Sequence, residues 1–174
     1  MLALLLGLVA CTRAPRAGGA PASGAMSPAA LEANKSVVRR FYAALNAGDY
    51  AAADSLVAPD YRHHVVSGTG FRAIDWAAFK AGNASARQAF PDWEIRADLL
   101  VAEGDHVAAL VSGRGTQRGA FAGIPATGRS VRLPIATFLQ VRAGRIVADW
   151  EVADAEPALR ALRAGSPAST PSQD

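Results

Sequence analysis

Near Phe90-Pro91-Asp92 the spacing of apolar residues changes from helical to alternating, and this switch restricts the chain to a fold with helices first and sheet second. Before it, Ser27-Pro28 offers a hydroxyl cap followed by proline in the first turn, where a missing N–H costs nothing. Leu31, Val38, Phe41, Tyr42 and Leu45 then recur at helical spacing, and Gly48 supplies the stop. Asp49 caps a second short helix, Tyr50 to Val57, ended by Ala58-Pro59-Asp60. The next stretch reads as irregular, and Asp75 caps a third helix from Trp76 to Ala89. Beyond the switch, Trp93 to Leu100 predicts a strand, Glu103-Gly104-Asp105 a turn, and His106 to Gly113 the returning strand. Val131, Leu133, Ile135, Thr137, Leu139 and Val141 alternate with more polar neighbours in a long half-buried strand. Ala143-Gly144 turns the chain, and Ile146 to Val152 pairs back. Helices followed by an antiparallel meander define an α+β fold, not a parallel α/β one. A sheet that curls round helices leaves a pocket at its mouth.

The two ends have a different character. Met1 to Ala10 is apolar but shorter than the roughly 20 residues that span a bilayer, and it fits the core of a signal peptide. Leu8-Val9-Ala10-Cys11 resembles a bacterial lipobox, in which cleavage precedes a cysteine whose thiol carries lipid. Residues 1–10 are therefore expected to be a lipoprotein-type signal peptide, with Cys11 lipidated. That places the protein in the bacterial cell envelope, touching membrane only through the lipid. The competing reading is a buried segment with an inert cysteine. Residues 11–26, rich in Ala, Gly, Pro and Ser, are expected to be a flexible tether, and residues 165–174 a disordered tail. The folded domain is then 27–164. Apolar types make up 51% of the chain and charged types 19%, enough for a true core. The net charge is only +3, and no stretch concentrates Lys or Arg, which argues against nucleic acid as a partner. One cysteine excludes a disulfide framework and any multi-cysteine metal site.

Candidates for chemistry gather near the end of the domain. Ile146, Ala148, Trp150 and Val152 share one face of the last strand if it alternates regularly, and Asp154 continues that face. Asp149 and Glu151 then point the other way, to solvent or a partner subunit. A carboxyl on the apolar face would be desolvated and its pKa raised toward neutrality, which prepares it for proton transfer. Equally, Asp154 caps a short helix around Ala158–Arg163, with Pro157 in its first turn. His63 and His64 follow Pro59-Asp60-Tyr61-Arg62, and because neighbours in extended chain point to opposite sides, one ring faces inward. No metal is expected, since adjacent histidines diverge in a strand and His106 lies beside a turn. Trp76, Trp93, Trp150, Phe71 and Phe138 are candidates for cavity wall or for core. The glycines between Gly113 and Gly128 lack the sequence and the strand-to-helix context of a phosphate or dinucleotide loop, and no serine sits in a G-x-S-x-G elbow.

The segment Asn34-Lys-Ser-Val-Val-Arg-Arg-Phe-Tyr-Ala-Ala-Leu-Asn-Ala-Gly-Asp49 followed by Leu56-Val-Ala-Pro-Asp-Tyr-Arg-His-His64 resembles the opening of the SnoaL-like polyketide cyclase family, also called ester cyclases. Phe90-Pro-Asp-Trp93, Ala102-Glu-Gly-Asp-His-Val107, the run from Gly115 to Arg129 and Gly144-Arg-Ile-Val-Ala-Asp-Trp-Glu-Val-Ala-Asp154 are similar to it in order and spacing. The resemblance implies an NTF2-like cone: three N-terminal helices packed in a strongly curved antiparallel sheet, assembled as a homodimer or higher homo-oligomer. It implies a polyketide cyclase-like lyase or isomerase that uses no cofactor and closes a ring by aldol-type acid/base chemistry on a small apolar carbonyl compound. Carried over by position, the acid/base is Asp154, the histidine after the Pro-Asp-aromatic motif is His64, and Glu151, directly after the tryptophan, is the second acid. Trp150, Phe41, Trp76, His63 and Thr137 are the expected substrate-binding residues. The family's polar partners on the preceding strand are not reproduced, since Ile135, Thr137 and Leu139 occupy one face and Phe138 and Gln140 the other. The alternative is an envelope lipoprotein that binds an apolar ligand or a partner chain without catalysis. A third reading is another reaction of this fold, such as isomerisation or epoxide hydration.

Overall fold

The computed structural model describes residues 26–164. The expected signal peptide, Cys11, the tether up to residue 25 and the tail lie outside the described residues. Ten elements follow one another: α1 (Pro28–Ala47), α2 (Tyr50–Leu56), β1 (Val57–Ser67), β2 (Gly70–Asp75), α3 (Trp76–Ala89), β3 (Glu94–Glu103), β4 (His106–Thr116), β5 (Ser130–Arg142), β6 (Arg145–Ala153) and α4 (Glu156–Arg163). The strands form one six-stranded sheet in the order β2-β1-β6-β5-β4-β3. Every neighbouring pair is antiparallel except β1 and β6, which run parallel. The fold is the expected α+β cone. Among the described residues no helix is long and apolar enough to cross a membrane.

Local chemistry accounts for the helix starts. The Ser27 hydroxyl accepts the N–H of Ala30, and the Asp49 and Asp75 carboxylates accept those of Ala52 and Ala78. Each satisfies a donor that the first turn leaves without an intrahelical partner. Gly48 ends α1 in the left-handed region at φ 66°, where a side chain would be strained.

The stretch between α2 and α3 is not irregular. It forms the β1–β2 hairpin, and α2 stops at Leu56 instead of Val57. The hairpin lacks a clean apolar alternation because β1 carries Pro59, Asp60, Arg62, His63 and His64, while most of β2 is exposed. A fourth helix, α4, follows the sheet.

Two apolar clusters hold the molecule. In the larger, α1 lays Val38, Phe41 and Leu45 across Val107, Val111, Leu139 and Ile146 of the sheet, all fully buried. Each such side chain contributes roughly 1.5–3 kcal/mol of hydrophobic stabilisation. The smaller cluster joins Ala89, Phe90, Ile124 and Leu162 at the mouth of the cone, with Trp93, Phe121, Val131 and Leu159 packed on it. Trp93 lies flat across β4 because Gly113 and Gly115 carry no β-carbon; one on either residue would collide with its indole. A cavity remains between the two clusters.

Candidate active site

One backbone irregularity decides which side chains reach that cavity. After the tight Ala143-Gly144 turn, Val141 pairs with Ile146, yet Gln140 pairs with Ala148, so Val147 is an extra residue in β6. A one-residue slip sends every later side chain to the opposite face. Beyond the bulge, Asp149, Glu151 and Ala153 therefore face inward, opposite Leu139, Thr137 and Ile135. Trp150 and Val152 face outward.

The cavity has a volume of about 340 Å³, at the small end of the roughly 300–1,000 Å³ usual for ligand sites. Its walls are apolar: Phe79, Phe90, Trp93, Phe121, Leu133 and Ile135 line it, with Leu159 and Leu162 from α4. Its polar lining consists of His63, Glu151 and Asn83. Asn83 is fixed by the Tyr50 hydroxyl, which donates to its Oδ1 at 2.9 Å.

Behind His63 lies a buried pair. His63 Nδ1–H donates to Asp149 Oδ1 at 2.8 Å, and the Tyr61 hydroxyl donates to the same oxygen at 2.9 Å. His63 is 4% exposed, Asp149 5% and Tyr61 1%. Tyr61 and His63 are two residues apart on β1, so both point inward, and the parallel pairing sets His63 directly beside Asp149. With Nδ1 committed to Asp149, Nε2 is left for a ligand, since among the described residues it has no hydrogen-bond partner.

Burial pulls His63 toward its neutral form, but the hydrogen bond and the charge of Asp149 outweigh it. The charge of Glu151 adds to them, and despite the opposing charge of Arg72 the pKa of His63 lies above its ordinary 6.5. Burial likewise lifts Glu151 above its ordinary 4.5; His63 opposes this and Asp149 reinforces it. Burial and the Asp149 charge push the Tyr61 hydroxyl upward, so it remains a donor. Both shifts favour proton transfer: the raised Glu151 carboxyl is a stronger base than an exposed one, and His63 holds its proton to higher pH than a free imidazole.

Several expected positions need correction. Asp154 is exposed in the link before α4, where its Oδ1 accepts the N–H of Glu156 at 3.3 Å, and it does not line the cavity. The bulge removed it from the inward series, and it does not cap α4 either: Ala155 holds the N-cap position, with no side-chain cap bond. His64 also faces away: its ring stacks on Trp150 at 4.8 Å, and its Nδ1–H donates to the Asp149 carbonyl at 3.0 Å. Trp150 is consequently on the outer face and does not line the cavity. Phe41 is core, and Trp76 packs against that core with its indole N–H donating to Asp54. Thr137 is 3% exposed opposite Glu151, and its Oγ1 has no hydrogen-bond partner, but it sits behind the cavity wall. Glu151 and His63 are the expected residues that the structure brings together. Among the described residues no three His, Cys, Asp or Glu side chains converge as a metal site. Asp149 and Tyr61 were not foreseen in this role; the cue for Asp149 was a pair of acids two residues apart, bracketing a tryptophan.

The profile of the SnoaL-like polyketide cyclases matches residues 35–162. No curated protein matches the chain. Among solved structures, the chain is similar to AclR of Streptomyces galilaeus, described provisionally as a hydroxylase, with 25% identity and a TM-score of 0.70 over 77% of this chain and 98% of that one. It is similar to IdmH of Streptomyces antibioticus, described provisionally as a polyketide cyclase, with 28% identity and a TM-score of 0.68 over 75% and 98%. A protein of Acidithiobacillus ferrooxidans with the same provisional description shares 26% identity and a TM-score of 0.69 over 81% and 100%. With the profile spanning nearly the whole described domain, this chain belongs to the SnoaL-like polyketide cyclase family, on the NTF2-like fold.

Proposed function

We propose that the protein is a cofactor-free acid/base enzyme acting on a small apolar carbonyl compound, with Glu151 as base and His63 as acid. The observation that carries this reading is that Glu151 and the Asp149-bound His63 line one cavity whose walls, Asn83 aside, are apolar. Family membership supports a cyclase- or isomerase-type reaction. In such a step Glu151 takes a proton from the carbon next to the carbonyl, leaving an enolate. The enolate carbon bonds to a second carbonyl carbon of the same molecule, and the oxygen of that carbonyl, still attached as its π bond opens, takes the proton of His63 Nε2. One C–H bond and the π bond of the attacked carbonyl are lost, one C–C and one O–H bond form, and the proton gained by Glu151 returns to His63 to reset the pair. The Asp149 carboxylate, hydrogen-bonded to His63 Nδ1, holds and orients the imidazole before the transfer. Asp154 has no part in it.

The base can be tested without knowing the natural substrate. In heavy water the protein is expected to speed deuterium uptake next to the carbonyl of β-tetralone, followed by proton NMR, and Glu151→Gln is expected to remove most of the acceleration, by about 10²–10⁴-fold. If neither β-tetralone nor a panel of apolar ketones and esters exchanges faster with the wild-type protein while still binding, the non-catalytic ligand-binding reading replaces this one.

We also propose a homodimer through the outer face of the sheet. Val101, Ala108, Phe138, Trp150 and His64 lie in register across five strands, and Leu99, Leu110, Ala136 and Val152 form a second row beside them. Leu99, Val101, Leu110, Phe138 and Val152 are each about half exposed, between 47% and 56%. A lone soluble domain rarely leaves so regular an apolar face uncovered. Light scattering at micromolar concentration is expected to give the mass of two chains for the wild type and one for Phe138→Glu. A wild type that stays monomeric as concentration rises would refute the pairing.

A further inference from the structure

We infer that ligand enters the cavity between α3 and α4, through a portal edged by Ala78, Gly82 and Ala155; this rests on the reading of the cavity as a ligand site. Of the residues that line the cavity, these three alone are also exposed, so they mark where it meets solvent. His63, Phe90, Ile135 and Leu162 are buried at the other extreme. All three portal residues lack a side chain beyond the β-carbon.

Gly82 is the most telling of the three. It lies inside α3, where glycine is the least favourable residue after proline. Its backbone is not left-handed, so conformation does not require glycine there. A β-carbon at this position would meet no atom within 4 Å, so packing does not require it either. What glycine preserves is open space beside the cavity. The contrast with α1 is in the row nearest solvent: α1 fills its inward face with Val38, Phe41 and Leu45, whereas α3, which sends Phe79 and Asn83 into the cavity, keeps Ala78, Gly82 and Ala86 small along its edge. A helix that gives up stability to keep a wall low is a recurrent trade at functional sites. The portal therefore sets which ligands enter, by width, while His63 and Glu151 act on them inside.

Anilinonaphthalene sulfonate, a fused-ring fluorescent dye, serves as the probe in stopped-flow binding to the whole protein. Gly82→Leu and Ala155→Leu are each expected to slow dye association at least tenfold, and Gly82→Leu to raise the melting temperature. Ala81→Leu, exposed on the same helix but outside the lining, is expected to bind at the wild-type rate. Leu133→Trp, which fills the cavity from within, is expected to abolish binding. If Leu133→Trp abolishes binding while both portal variants associate at the wild-type rate, ligand enters elsewhere and the portal alone is refuted. If Leu133→Trp binds dye normally, the cavity does not take the ligand, and the portal falls together with the reading it rests on.

Discussion

Replacing His63 with asparagine is expected to slow α-proton exchange by about 10²–10⁴-fold, the range a positioned general acid supplies. Asparagine can still donate to Asp149 Oδ1, so the buried carboxylate keeps a partner, but it has no proton to give at near-neutral pH. The informative control is the neighbour. His64 is also a histidine on β1, but its ring stacks on Trp150 outside the sheet, so His64→Asn should retain activity within a few fold. Exchange into β-tetralone, read with circular dichroism to confirm folding, separates the two. Equal losses in both variants, or a loss confined to His64, would show that the inward ring is not the acid.

Removing the carboxylate behind that ring should cost the most stability. Asp149→Ala is expected to lose about 3–5 kcal/mol, the usual effect of breaking a buried pair by deleting one partner. It strands the Tyr61 hydroxyl and His63 Nδ1 without an acceptor in a site where each is at most 5% exposed. The pH dependence follows from the direction of the shifts. His63 binds its proton more tightly in the folded state, so its contribution is complete below the unfolded value near 6.5 and fades as pH rises through its higher folded value. Glu151, also raised, acts in the same direction: the cost of its buried charge is present at high pH and lifts as pH falls toward 4.5. Wild-type stability should therefore climb as pH is lowered from alkaline values toward 4.5. Asp149→Asn should flatten the part of that curve above 6.5, because the amide no longer favours the imidazolium. Urea melts across the pH range measure both. A variant as stable as the wild type, with an unchanged curve, would mean that the pair does not form.

The sequence was a good guide where local chemistry and packing agree. Ser27, Asp49 and Asp75 are caps in the structure as read, and the alternation from Val131 to Val141 runs through β5. The β1–β2 hairpin was hidden because its inward positions carry Tyr61 and His63, which look polar in a pattern search although both are buried among apolar groups. The site is hidden in the sequence for a more specific reason. Counting alternately from Ile146 assigns Trp150 and Asp154 to the inside, and nothing in Ile146-Val147-Ala148 announces the extra residue that reverses the count. Val147 is apolar like its neighbours, so either register buries an acceptable side chain there. The preference for the bulged register becomes visible only when β1 is alongside and offers Tyr61 and His63 to Asp149. Long-range pairing of this kind leaves no local trace.

A raised carboxyl and an Asp-held imidazole, both lining one mainly apolar cavity, pass a proton to and from a carbonyl compound. The pH profile of α-proton exchange tests it most directly. Exchange should follow a bell, rising with ionisation of a group above 4.5 and falling with loss of a proton from a group above 6.5. Asp149→Asn should move the falling limb to lower pH, and residual exchange in Glu151→Gln should lack the rising limb. A profile without either limb, or limbs that stay in place in both variants, would contradict the claim.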